Sequence, residues 1–173
     1  MSLFDQVSNV LKQYTGDTTT NPANATDHFD QVAQAAPQSA IAEGLSAVFR
    51  SDQTPAFGNL LGGLFSQSNR EQKAGILNQL IASVGPGTLA QLAGGGAVAS
   101  LLGGGSNALT PQQAQNISPE LVQQMAAHAE KADPSIVDKA SAFYAQHATL
   151  VKTLGGAALS IALVKVAERQ KAA

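Results

Sequence analysis

TPAFGNLLGGLFSQSNREQKAGILNQLIASVGPG, residues 54–87, decides how the chain is read. Phe57, Leu60, Leu61, Leu64 and Phe65 recur at spacings of three and four, and Ile76, Leu77, Leu80, Ile81 and Val84 continue the pattern. That period places apolar side chains on one face of a helix, whereas a half-buried strand alternates them. Thr54-Pro55 reads as a helix start with proline in the first turn, and Ser68 with Glu71 reads as a capping box. Gly85-Pro86-Gly87 ends the second helix.

Working outward, the same region is almost without charge. From Gln53 to Pro119 only Arg70, Glu71 and Lys73 are charged, and from Ala74 to Pro119 no residue is. A dispersed globular surface carries charge, so most of this stretch must be hidden. Three hiding places are open to the sequence: the protein's own core, other copies of the chain, or a membrane surface. Within the stretch, TLAQLAGGGAVASLLGGGSNAL (residues 88–109) has two triple-glycine runs, read as short helices with loose joints.

Toward the N-terminus, Leu3, Val7, Val10, Leu11 and Tyr14 fall on one helical face after Ser2 and Asp5. The polar GDTTTNPANAT that follows Tyr14-Thr15 makes residues 1–25 a helix and linker, expected to behave as a mobile arm outside a domain spanning residues 26–173. A second helix is expected from Asn24, with Phe29 and Val32 on one face. A third follows Pro37, with Ile41, Leu45, Val48 and Phe49. Toward the C-terminus, Thr110-Pro111, Ser118-Pro119 and Asp133-Pro134 mark three more starts. The last helix, from about His147, is apolar nearly all round between Leu154 and Val164 and ends with Lys165, Arg169 and Lys171. The expected fold is all-α, a multihelical bundle of about eight to ten short helices.

A faint repeat lays residues 29–63 over 122–156 at an offset of about 93. Asp30-Gln31-Val32-Ala33 then falls on Gln123-Gln124-Met125-Ala126, and Leu61-Gly62-Gly63 on Leu154-Gly155-Gly156. Read as a duplication, it divides the chain into similar halves, 26–87 and 108–173, joined by the glycine-rich segment 88–107.

Composition excludes several chemistries. With no cysteine, there are no disulfides, thiolate metal sites or thiol nucleophiles. A net charge of −2 without a basic stripe argues against nucleic acid, which requires concentrated Lys and Arg. His28, His128 and His147 have no metal-ligand spacing and are read as solvated or locally hydrogen-bonded, with no metal and no cofactor expected. The closest approach to a nucleophile elbow, Gly44-Leu45-Ser46-Ala47-Val48, lacks its second glycine. The triple glycines lack the Lys-Ser/Thr of a phosphate loop. No catalytic residue is expected. No stretch reaches the ~20 apolar residues that span a bilayer, and the N-terminus lacks a signal peptide's features, so a cytoplasmic location is expected.

MSLFDQVSNVL at the N-terminus resembles the opening of the YidB-like group of bacterial helical proteins. The helix-start signals Ser68 with Glu71, Thr110-Pro111 and Ser118-Pro119 are similar to those of longer bacterial proteins related to that group. The resemblance implies a multihelical bundle in a bacterium and supplies no activity, cofactor or site residue.

The reading that follows is a non-enzymatic structural protein that associates with copies of itself through an uncharged Gly/Leu-rich helical surface. Its expected interface residues are Leu60, Leu61, Leu64, Leu89, Leu92, Leu101, Leu102, Leu154 and Ile161. The alternative is a peripheral membrane protein that lays the Leu154–Val164 helix on a lipid surface, its cations at the headgroups. Three cations are a weak anchor for that, at roughly 1 kcal/mol each near an anionic surface.

Overall fold

The computed structural model describes residues 3–14, 22–85, 88, 91 and 108–172. Among these the protein is all-helical, with ten α-helices and no strand. They are α1 (Leu3–Lys12), α2 (Pro22–Ala35), α3 (Gln38–Arg50), α4 (Phe57–Gln67), α5 (Arg70–Val84), α6 (Pro111–Ala114), α7 (Pro119–Ala132), α8 (Ile136–Ala145), α9 (Ala148–Val151) and α10 (Gly156–Ala172). A 3-10 turn, Lys152–Leu154, joins α9 to α10. The glycine-rich joint 88–107 lies outside the described residues, except for positions 88 and 91.

The helices sort into two compact units. One comprises residues 1–55 and 141–173, the other residues 56–140. This division differs from the halves expected at the glycine-rich segment. One boundary falls at Pro55–Ala56 and the other inside α8.

In the first unit α10 packs against α2 and α3, and α1 packs against α2 and α10. The core is Phe29, Ile41, Leu45, Phe49, Leu159 and Leu163, all buried. Helix α1 is part of this core rather than a mobile arm, because Val7, Leu11 and Tyr14 are buried. Tyr14 meets His28 of α2 edge-on, its hydroxyl 2.7 Å from His28 Nδ1 in a hydrogen bond. In the second unit α4 packs against α7, and α5 packs against α4, α6 and α7. Its core includes Leu61, Leu64, Phe65, Leu77, Val122 and Met125.

Several helix ends sit one or two residues from their expected places, each for a local reason. The capping box before α5 is Asn69 with Gln72, not Ser68 with Glu71. Asn69 Oδ1 accepts the Gln72 N–H at 2.9 Å, and Gln72 Oε1 accepts the Asn69 N–H at 2.9 Å. The Ser68 hydroxyl donates instead to the Leu64 carbonyl, closing α4 from behind. Thr54 does not cap α4 either. Its hydroxyl reaches back to the Val48 and Ser51 carbonyls and seals the end of α3. Helix α2 begins at Pro22, so part of the expected linker is helical. Thr110 and Gln113 do form the reciprocal pair before α6, and the Ser118 hydroxyl accepts the Leu121 N–H before α7.

Candidate self-association surface

Close helix approach depends on small residues at a few points. A Cβ on Gly58 of α4 would lie 2.6 Å from the Gln123 carbonyl oxygen of α7, and one on Gly62 would lie 2.6 Å from Gln123 Cγ. The Gly58–Gly62 pair therefore lets α4 lie backbone-close on α7, the use of small residues four apart that tight helix pairs share. In the other unit, a Cβ on Gly44 of α3 would lie 2.9 Å from the Ala162 carbonyl oxygen of α10. These glycines are internal packing positions of the two units.

That placement corrects part of the expected interface. Leu61 and Leu64 are fully buried and Leu60 is 8% exposed, so all three belong to the second unit's own core. The charge-free α4 is hidden by folding. Leu89, Leu92, Leu101 and Leu102 lie outside the described residues. Leu154, in the 3-10 turn, and Ile161, on α10, are half-exposed and remain surface candidates.

Ile161 belongs to a built feature. With Ala47 and Gln53 near the end of α3, and Ala157, Ser160, Val164, Lys165 and Glu168 along α10, it lines a shallow groove of about 500 Å³. Its floor is apolar. Its rim carries the opposite charges of Lys165 and Glu168, 3.7 Å apart. The opposite face of α10, with Leu159, Ala162, Leu163 and Val166, is buried in the unit. The helix that reads as apolar all round thus has a wide core face and a narrow exposed apolar strip.

The cations at the end of α10 are largely spoken for. Lys165 pairs with Glu168, and Arg169 pairs with Glu43 of α3. Paired charges weaken attraction to an anionic lipid surface. Among the described residues no helix is long and apolar enough to cross a membrane.

No group of three or more His, Asp or Glu side chains among the described residues is placed to hold a metal. The His147 ring packs on Phe143 with centroids 5.1 Å apart, and His128 is exposed on α7. Asp133, placed before α8, accepts from the Ser135 N–H and hydroxyl and pairs with Lys139 at 3.2 Å. The hydrogen bonds from Ser135 and Lys139 hold its carboxyl below the usual carboxylate range. This is a turn that starts a helix, not an acid–base pair. One polar residue that sequence reading passes over is Asn78 on α5. Its amide takes both backbone groups of Leu109, Oδ1 accepting the N–H at 2.7 Å and Nδ2 donating to the carbonyl at 3.2 Å. Nothing in the local pattern around Asn78 signals a partner 31 positions away.

No family model matches the chain, and neither the curated proteins nor the solved structures contain a match to it.

Proposed function

We propose that the protein is a non-enzymatic structural protein that associates with copies of itself, and that the outer face of α10 makes the contact. The observation that carries this reading is the groove between α3 and α10. It leaves Ile161 and Val164 half-exposed on a helix whose other face is buried in its unit. Exposed branched aliphatic side chains in a concave strip gain by being covered, at about 25 cal/mol per Å² of apolar surface removed from water. The rim favours a second copy as the cover. Lys165 and Glu168 lie one turn apart on the same face, so two antiparallel α10 helices related by a two-fold axis set each lysine against the partner's glutamate. A self-complementary patch of this kind meets itself in an isologous interface.

Ile161→Asp tests the reading. The position is half-exposed, so the fold tolerates the charge, while a desolvated carboxylate opposes association. The native chain should sediment as a species larger than its 17.6 kDa mass, and Ile161→Asp should shift it to monomer with unchanged helical circular dichroism. A native chain that stays monomeric at every concentration contradicts the proposal.

A further inference from the structure

A second groove lies within the first unit, between the last turns of α1 and α10. It has a volume of about 300 Å³ and is lined by Ser8, Leu11, Lys12, Ala167, Gln170 and Lys171. Its floor is apolar, because Leu11 and Ala167 are both buried. Its charged lining residues are two lysines, one on each helix, and among the described residues no carboxylate lines it.

Charge separates this groove from the one between α3 and α10. There Lys165 and Glu168 lie 3.7 Å apart and cancel. Here both charges have the same sign. Lys171 also stands apart from the other cations of α10. Lys165 and Arg169 are paired with Glu168 and Glu43, whereas among the described residues Lys171 has no carboxylate partner.

The helix ends offset part of this positive charge. Lys12 is the last residue of α1, and Lys171 lies one residue before the end of α10. A helix C-terminus carries the equivalent of about half a negative charge, so two such ends balance about one of the two ammonium groups. One cation at one helix end is accounted for by that end's dipole. Two cations lining a shared crevice exceed it, and the groove keeps about one unit of positive charge over an apolar floor.

We infer that this groove binds a small amphipathic anion, a medium-chain carboxylate. Its head lies between Lys12 and Lys171 and its hydrocarbon covers Leu11 and Ala167. A single negative charge matches the positive charge that the helix ends leave over. Ser8 and Gln170 add a hydroxyl and an amide, both donors to a carboxylate. Covering the floor adds affinity with each methylene removed from water. The volume sits at the lower end of the about 300–1,000 Å³ of small-molecule sites, which suits one short chain rather than a two-chain lipid or a partner helix. None of these residues lines the α3–α10 groove, so the inference does not rest on self-association.

The test titrates isotope-labelled, full-length protein with sodium decanoate below its micellar concentration and follows the backbone amides by heteronuclear NMR. Binding predicts saturable shifts centred on Ser8, Leu11, Lys12, Ala167, Gln170 and Lys171. Lys12→Gln and Lys171→Gln, both at exposed positions that the fold does not depend on, should each weaken the decanoate affinity several-fold. Decyltrimethylammonium, with the same chain and the opposite charge, should leave these amides unmoved. Absence of saturable shifts, shifts centred on Ile161 and Val164 instead, or equal binding of the two amphiphiles overturns the inference.

Discussion

Gly58 and Gly63 sit on one helix and meet opposite surroundings. A Cβ at position 58 would press on the Gln123 backbone, whereas one at position 63 meets nothing within 4 Å. Gly58→Ala should therefore destabilise the second unit by about 1–3 kcal/mol, as overpacking against a backbone does. Gly63→Ala should stabilise it by about 0.5–1 kcal/mol, the helix-interior preference for alanine. Urea midpoints of the two variants, moving in opposite directions, check the pair. Tyr14 is a second residue-scale case. Burial raises its hydroxyl above the ordinary value of 10.0. A raised folded pKa means the contribution is fully present below about pH 10 and is lost as pH rises through the folded value. Native protein should lose stability over that alkaline window, and Tyr14→Phe should lose less, as urea midpoints taken on either side of it would show.

Helix ends belong to the next scale, and here the two capping assignments give different outcomes. Because Asn69 and Gln72 form the box, Asn69→Ala should cost about 1 kcal/mol while Glu71→Gln changes little. Thermal melts of both variants discriminate, since a box built on Ser68 and Glu71 reverses the order. Asn78 ties α5 to the segment leading into α6. Asn78→Ala strands the N–H and carbonyl of Leu109 in a partly buried place, an expected loss of about 1–3 kcal/mol in denaturant titration. The helices themselves were legible because Leu60, Leu61, Leu64 and Phe65 repeat with the helical period and Pro111 and Pro119 mark first turns. Boundaries were less so. Ser, Thr and Asn compete for neighbouring carbonyls and N–H groups, and tertiary position decides which of Ser68 and Asn69 caps forward and which closes the helix behind.

For the whole molecule, the apolar periodicity fixed which residues are buried but carried no information about which helix buries them. Leu61 reads equally well as core or as interface, and only its seat on α7 makes it core. The repeat read at an offset of about 93 sets Gly62 on Gly155, yet Gly62 is buried in α4 against Gln123 while Gly155 ends the 3-10 turn. Packing joins helices far apart in the chain, α4 on α7 and α10 on α2 and α3, with Gly58, Gly62 and Gly44 at the closest approaches. The proposed self-association rests on α10, whose one face is buried in its unit while Ile161 and Val164 of the other line a groove.

The division into two units, α10 packed with α2 and α3 and α4 packed with α7, is tested most directly by native-state hydrogen exchange on the native chain and on Gly44→Ala. That substitution sets a Cβ 2.9 Å from the Ala162 carbonyl oxygen and loosens α10 from α3. Local opening frees cooperative units together. The amides of α2, α3 and α10 should lose protection as one set while those of α4, α5 and α7 keep theirs. Loss of protection in α4 together with α2 and α3, with α10 still protected alongside α7, would contradict the account.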